Sequence, residues 1–191
     1  GQVSGLQRQA VQVRISSIRE PGNESALKIT LVQAISRGER MDYSLQKSTE
    51  LGVARIQPIT SSRVEVRLDQ KRADKRLARW RAVVVSACEQ SGRAVVPDVG
   101  APMSLGEWLS SVGESQCLVL DPRARQRLST CSVQGDAISV LVGPEGGFSE
   151  EEIRQICSAG VEAVSLGPRI LRTETAGPAA IILLQSMAGD F

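Results

Sequence analysis

The sequence predicts an α/β domain with a mainly parallel sheet. Predicted strands and helices alternate after residue 26, the pattern of such folds. Three apolar runs in the second half, residues 117–120, 137–142 and 163–166, are nearly continuous and not alternating. Continuous apolar runs are typical of parallel strands covered on both faces. The 191 residues have the length of one domain.

Residues 1–25 are predicted to be separate from that domain. They are polar and irregular, except that residues 10–15 alternate apolar and polar side chains, as a half-buried strand does. Pro21-Gly22-Asn23 then predicts a turn or linker. One strand cannot bury its own apolar face, so we expect this segment to pack elsewhere or to be a fragment of something larger.

The first half of the domain is predicted to alternate strands with helices. Residues 27–35 and 55–59 are expected to form strands, and residues 41–51 and 71–91 helices. Gly52 and Gly92 follow those helices at positions where glycine commonly ends a helix. Ser104 is a candidate N-cap for a shorter helix over residues 104–112.

The second half ends in two predicted helices. Ser149 and Glu152 have the spacing of a capping box and predict a helix between the last two apolar runs. The final helix, about residues 175–187, is apolar around most of its circumference, as expected of a helix buried on more than one side. We therefore expect it to contribute to a subunit interface.

Composition excludes several kinds of chemistry. Without histidine, the Ser-His-Asp triad, Cys-His nucleophile pairs and HExxH zinc sites are impossible, and no CxxC pair is present, so no metal is expected. The four cysteines are predicted to be small buried hydrophobes, which suits a reducing cytoplasm. No apolar run reaches the length of a membrane span, so a soluble, cytoplasmic protein is expected.

The net charge of +2 conceals two unlike halves. Residues 1–100 hold 17 basic and 10 acidic side chains, and residues 101–191 hold 6 and 11. A basic stretch from residue 63 to residue 81 suits a polyanion, with a solvated helix face as the alternative interpretation. Its basic members are Arg63, Arg67, Lys71, Arg72, Lys75, Arg76, Arg79 and Arg81.

The segments that follow the three apolar runs form the candidate site, because ligands bind beyond the carboxyl ends of parallel strands. They are Asp121-Pro122-Arg123, Gly143-Pro144-Glu145-Gly146-Gly147 and the longer stretch from Gly167 to Gly177. Glycine and proline in such loops let the backbone approach a ligand closely. The glycine spacing matches neither a P-loop nor a dinucleotide fingerprint, which argues against a nicotinamide-dependent oxidoreductase.

Two motifs in these loops resemble a known family. The sequence LVGPEGGFS at residues 141–149, followed by LGPRILRTETA at 166–176, is similar to the motifs of RsmE enzymes of the SPOUT superfamily. Residues 46–53 and 89–93 also match, so the resemblance spans about residues 27–187. It implies methylation of N3 of a uridine in 16S ribosomal RNA by S-adenosylmethionine, a C-terminal trefoil knot and a homodimer.

The resemblance also implies site residues. The implied cofactor-binding residues are Leu120, Leu141, Gly143, Glu145, Gly146, Gly147, Leu166, Gly167, Ile170, Leu171, Arg172, Thr175 and Ala176. Arg172 is the candidate for stabilising negative charge on the uracil. Glu174, or else Glu145, is the candidate proton acceptor, with a helix-capping or loop-holding role as the alternative.

Lys47, Glu50, Arg63 and Arg93 are the candidate RNA-binding residues. Lys47 and Glu50 could instead form a surface pair, and Arg63 and Arg93 could simply be solvated.

The sequence differs from those of the family members at its N-terminus. Family members carry a PUA-like β-barrel there, and only its last strand is expected in this chain, over about residues 9–15. The implied domains are therefore residues 1–25, a barrel fragment with its linker, and 26–191, the methyltransferase domain. Two alternative functions stay open: ribose 2′-O methylation by another SPOUT enzyme, and RNA binding by a non-catalytic assembly factor.

Overall fold

A computed structural model describes residues 1–18, 22–63 and 70–191 of the chain. Its strands are β1 (Gln2–Gln7), β2 (Ala10–Arg14), β3 (Lys28–Ala34), β4 (Arg55–Thr60), β5 (Asp98–Val99), β6 (Met103–Ser104), β7 (Gln116–Leu120), β8 (Ala137–Val142) and β9 (Glu162–Val164). Its α-helices are α1 (Glu39–Glu50), α2 (Gln70–Ser91), α3 (Leu105–Ser110), α4 (Glu150–Ser158) and α5 (Thr173–Ala188), and Leu128–Thr130 forms a 3-10 helix.

Seven strands form one sheet in which all described pairings are parallel. The order is β5-β4-β3-β8-β7-β9, and β6 also pairs with β4. From β7 the chain moves inward to β8 and then outward past β7 to β9. Because the strands are parallel, the segments that follow β7, β8 and β9 leave the sheet at the same edge. The predicted α/β fold with a mainly parallel sheet is confirmed.

Helices cover both faces of this sheet. Adjacent strand residues belong to different apolar clusters: Leu31 lies in one and Val32 in the other, and Val140 and Leu141 divide in the same way. Helices α1, α2 and α5 contribute to the first cluster, and α3 and α4 to the second. This double coverage explains why the strands are almost continuously apolar.

Most of the predicted helix ends are confirmed. Gly52 and Gly92 have positive φ angles of 86° and 74°, which glycine adopts without strain after a helix. Ser104 and Ser149 each cap a helix through a reciprocal capping box, with Glu107 and Glu152. The final helix begins two residues before the predicted start, at Thr173.

The N-terminal segment differs from its prediction. It forms an antiparallel hairpin of β1 and β2, so the first residues are not irregular. Strand β2 is exposed along its whole length and not half-buried: Val11 and Val13 are 58% and 54% exposed. The period-two pattern correctly predicts a strand, but the described residues provide nothing that covers its apolar face.

Residues 23–25 are attached to the parallel domain. Glu24 accepts hydrogen bonds from Arg93, and the Ser25 hydroxyl donates to buried Gln185 on α5 at 2.7 Å. Asn23 donates to the Gly92 carbonyl at 2.7 Å. The three residues before the predicted boundary at residue 26 therefore contact the parallel domain.

The cysteines only partly follow the prediction of burial. Cys88 and Cys117 are buried and Cys131 is partly buried, whereas Cys157 is exposed on the outer side of α4. All four are free thiols. Among the helices that the structure describes, none has the length and apolar character needed to cross a membrane.

The basic stretch is only partly within the described residues. Arg67 lies outside them, and the side chain of Lys71 is not described. Arg79 donates to Asp42 on α1, and Arg81 donates to the Val99 carbonyl. At least two arginines of α2 therefore bind groups of the protein itself.

Glu152 connects α4 to the segment after β4. Its carboxylate accepts the backbone N–H groups of Ser149 at 2.8 Å and Ser62 at 2.7 Å. Burial raises the pKa of Glu152, but these N–H donors outweigh it, so the pKa lies below its ordinary value of 4.5. The resulting stabilisation is present above that ordinary value and is lost as the pH falls through the lower, folded-state pKa.

Glu152→Ala should therefore lower the free energy of unfolding at neutral pH by about 1–2 kcal/mol, because it removes a capping and a buried hydrogen-bond acceptor. The deficit should shrink as the pH falls from the ordinary pKa through the lower pKa of the folded Glu152 carboxyl, where that carboxylate becomes protonated. Urea denaturation at a series of pH values measures both effects. The exposed neighbour Glu151→Ala is the control, and an equal loss in the two variants would contradict this role.

Candidate active site

Three loops meet in one cleft at the carboxyl edge of the sheet. The cleft encloses about 470 Å³ and is lined by residues of all three segments that follow β7, β8 and β9. The start of α5 and two further arginines, Arg40 on α1 and Arg63 in the segment after β4, complete its walls. The sequence predicted this convergence from the direction of parallel strands alone.

Backbone hydrogen bonds hold the first and third loops together. Ser165 N–H donates to the Gln126 carbonyl and Leu128 N–H donates to the Ser165 carbonyl, both at 2.9 Å. Asp121 N–H also donates to the Val164 carbonyl at 2.9 Å. The two loops therefore form one wall of the cleft.

The second loop is a tight turn between β8 and α4. A Cβ atom at Gly143 would lie 3.2–3.3 Å from the ring and backbone nitrogen of Phe148, closer than side chains normally pack. Gly147 has a φ angle of 65° and donates its N–H to the Pro144 carbonyl. Glycine at these two positions allows the backbone to make this tight turn in the wall of the cleft.

A buried hydrogen-bond chain fixes the floor of the cleft. The Ser44 hydroxyl donates to Gln33 Oε1, and Gln33 Nε2 donates to the Thr173 hydroxyl, both at 3.0 Å. Thr173 in turn donates to the Gly143 carbonyl at 2.7 Å. Gln33 and Ser44 are fully buried and Thr173 is 6% exposed. The chain connects α1, β3 and the first turn of α5 to the second loop.

Arginines and carboxylates alternate along one side of the cleft. Arg40 lies 3.0 Å from Glu145 and 3.9 Å from Glu174, and Arg172 Nη1 lies 4.0 Å from the same Glu174 oxygen. The Arg172 side chain is 79% exposed, whereas that of Glu174 is 16% exposed. Glu174 therefore lies between two guanidinium groups, one fixed and one free to reach a ligand.

The carboxyl of Glu145 is held in its charged form. Partial burial raises its pKa, but hydrogen bonds from the Arg37 backbone N–H and the Arg40 side chain, each 3.0 Å long, outweigh that effect and lower it. A carboxylate with a lowered pKa is a weaker base. Glu145 is thus better suited to holding the loop than to accepting a proton.

Most of the expected cofactor-binding residues line this cleft. The eleven that do so are Leu120, Gly143, Glu145, Gly146, Gly147, Leu166, Gly167, Ile170, Leu171, Arg172 and Ala176. The other two are not in the lining: the side chain of Leu141 is fully buried in the core, and Thr175 is exposed on α5. Ile170 is 84% exposed, which leaves apolar surface open to a ligand.

The four candidate RNA-binding residues do not lie together. Lys47 and Glu50 form an ion pair on α1 at 2.9 Å. Arg63 lines the cleft and donates to the Gly146 carbonyl at 2.7 Å. Arg93 is 7% exposed and donates to Glu24 and to the carbonyls of Thr49 and Val53, so its guanidinium has a structural role in this conformation.

Several cleft residues escaped the sequence analysis. Arg40 reaches the cleft through long-range folding, and no local pattern identifies it. Thr173 lies within the loop motif at residues 166–176, but the sequence assigned it no role of its own. Asp121 and Arg123 were visible as a loop after a strand, yet carried no assigned role. In the structure they pair with each other at 3.2 Å, and Asp121 is 8% exposed.

Known proteins share this sequence and fold. A family model described as an RNA methyltransferase domain matches residues 23–185. The ribosomal RNA small subunit methyltransferase E of Neisseria gonorrhoeae, solved bound to S-adenosyl methionine, has a TM-score of 0.86 and 48% identity, and the match covers 91% of this chain and 71% of that one. A Legionella pneumophila protein solved with bound SAM has a TM-score of 0.94 and 41% identity, covering 99% and 78%.

A curated relative supports the same assignment. The ribosomal RNA small subunit methyltransferase E of Buchnera aphidicola subspecies Schizaphis graminum is 39% identical over 168 residues, which are 87% of this chain and 68% of that protein. The resemblance found in the loop motifs is thereby confirmed over most of the chain. The chain belongs to the RNA methyltransferase domain family, among the ribosomal RNA small subunit methyltransferase E (RsmE) proteins.

Proposed function

We propose that the protein transfers a methyl group from S-adenosylmethionine to N3 of a uridine in the ribosomal RNA of the small subunit. The observation that carries the proposal is the single cleft formed by the three loops, in a chain whose relatives are named as methyltransferases of small-subunit ribosomal RNA. Two similar structures contain the cofactor. Ribosomal RNA as the substrate would place the protein in the cytoplasm.

The cleft suits S-adenosylmethionine in size and in lining. Its volume of about 470 Å³ lies within the ordinary range of small-molecule sites. Leucines 120, 166 and 171 supply apolar walls for an adenine ring, and the glycine loops present peptide groups to its edge. When bound, the cofactor supplies a sulfonium methyl group that is already activated for transfer.

The chain's own residues would align the uracil and manage its charge. In the transfer, the bond between the methyl carbon and sulfur breaks, a bond from that carbon to N3 forms, and the N3 proton leaves. Arg172 is exposed at the mouth of the cleft and can stabilise the negative charge that spreads to the uracil oxygens. Glu174 lies beside it and is the proposed proton acceptor, while Glu145 holds the loop.

The finer features of the family fold are also part of the proposal. The proposed knot is supported by the hydrogen bonds that join the segments after β7 and β9, because the chain continues from the second of these segments directly into α5. The exposed hairpin of β1 and β2 is proposed as the fragment of a PUA-like barrel in residues 1–25, with residues 26–191 as the catalytic domain. Exposed Ile182 and Met187 on α5 support a homodimer.

The two alternatives predict different products. Ribose 2′-O methylation would use the same cofactor cleft, and a non-catalytic assembly factor would bind RNA without transferring a methyl group. The apolar cleft and exposed Ile170 favour an intact cofactor site over the second alternative.

The experiment that tests the proposal uses small ribosomal subunits from a strain that lacks the modification. Incubation with the protein and S-adenosylmethionine labelled in its methyl group should yield N3-methyluridine, identified by nucleoside mass spectrometry. A methylated ribose would establish the first alternative. Binding of RNA with no transfer of label would establish the second.

A further inference from the structure

Residues 101–191 carry a net negative charge, but most of their basic residues lie near the cleft. Residues 101–191 contain six arginines and no lysine, against eleven acidic residues. Five of the six lie in the first and third loops: Arg123, Arg125, Arg127, Arg169 and Arg172. The sixth, Arg154, lies on α4 and pairs with Glu151. The overall negative charge of this half conceals a strongly positive site.

The two segments that carry these arginines are joined through their backbones. Arg127 forms a parallel bridge with Ser165, and the hydrogen bonds on either side of that bridge join the loops. Arg123, Arg169 and Arg172 line the cleft, whereas Arg125 and Arg127 follow Arg123 closely in the chain and are not part of the lining. We call these five residues the arginine rim.

Most of the rim is available to a ligand. All five residues are exposed, and Arg172 is 79% exposed. Within the described ranges 1–18, 22–63 and 70–191, no carboxylate lies within ion-pair distance of Arg125, Arg127 or Arg169. Arg123 and Arg172 differ, because Asp121 and Glu150 hold Arg123, and Glu174 lies 4.0 Å from Arg172. Grouped guanidinium groups without carboxylate partners repel one another and favour an anion that spans them.

The basic helix is a weaker candidate for the same role. Arg79 and Arg81 on α2 are engaged with Asp42 and the Val99 carbonyl. None of the described residues of α2 lines the cleft, since the helix packs on α1 and β5. An RNA whose phosphates were bound only by α2 would not be held beside the cleft in which the base reacts.

We propose that the arginine rim, and not helix α2, binds the phosphate backbone of the substrate RNA next to the target base. Arg125 and Arg127 bind phosphates outside the cleft. Arg169 binds the RNA strand nearer to Arg172, at the cleft itself. The inference rests on the proposed function, because it takes RNA as the substrate.

The test compares double variants in their affinity for unmodified small-subunit ribosomal RNA made by transcription. Arg125→Ala with Arg127→Ala should weaken binding about tenfold at low salt and reduce the slope of log affinity against log salt by about 1.4, as expected for two lost phosphate contacts. Lysine at both positions should restore most of the binding. Lys75→Ala with Arg76→Ala on α2, and Arg154→Ala on α4, are the controls and should bind as the wild type does.

Two further measurements separate the inference from the proposed function. Calorimetric affinity for S-adenosylmethionine and the melting temperature should be unchanged in the Arg125/Arg127 variant, since neither residue lines the cleft. If this variant binds RNA as tightly as the wild type, or if the α2 variant loses more affinity, the inference about the arginine rim is wrong. The proposed methyl transfer would not be affected by that result. A wild-type chain that methylates nothing would overturn the proposed function, and one that binds no RNA would overturn both.

Discussion

Arg172→Ala should lower the single-turnover rate of methyl transfer by about two to three orders of magnitude, the size of effect seen when a group that stabilises transition-state charge is removed. Arg172 precedes α5 and extends its side chain into the mouth of the cleft, where Glu174 lies 4.0 Å away. Its side chain takes little part in folding, because it is largely exposed. The loss should therefore fall on the chemical step.

The measurement must separate chemistry from binding. We expect calorimetric affinity for S-adenosylmethionine to weaken much less than the rate falls, and the melting temperature to stay unchanged. Arg172→Lys should recover part of the rate, because it keeps the charge but not the planar pair of donors. Arg154→Ala, an exposed arginine outside the cleft, is the matched control. A rate near that of the wild type in Arg172→Ala would remove Arg172 from the catalytic step.

The features that the sequence predicted correctly depend on residues close together in the chain or on the shared direction of parallel strands. The capping boxes of α3 and α4 and the glycines after α1 and α2 act over three or four residues, so their patterns are visible in the chain itself. Parallel strands also impose a shared direction, which is why the loops after β7, β8 and β9 were predicted to share an edge. That geometric rule located the cleft.

What the sequence did not predict depends on distant partners. Strands β5 and β6 are two residues long and exist only because β4 offers them an edge. Arg93 was a candidate for phosphate contact, but folding brings it against Glu24, 69 residues away. Arg40 approaches Glu145 across 105 residues. No periodicity in the chain encodes such pairings.

Thr173→Val should lower the free energy of unfolding by about 1–3 kcal/mol, because it removes two buried hydrogen bonds, although Gln33 Nε2 keeps its bond to the Ala34 carbonyl. The hydroxyl of Thr173 donates to the Gly143 carbonyl and accepts from Gln33, and valine can do neither while occupying almost the same volume. Urea denaturation measures the loss. We also expect weaker calorimetric binding of S-adenosylmethionine, because the second loop is no longer tied to the start of α5.

Measuring both losses shows whether the hydrogen bonds of Thr173 position the second loop or only stabilise the core. Thr130→Val is the control, since this threonine is exposed and donates only to the nearby Arg127 carbonyl, so stability and cofactor affinity should change little. If Thr173→Val loses stability but binds the cofactor normally, the hydrogen-bond chain supports the core without shaping the cleft. If both fall, the hydrogen-bond chain from the fully buried Gln33 through Thr173 to the Gly143 carbonyl supports the core and also positions the second loop.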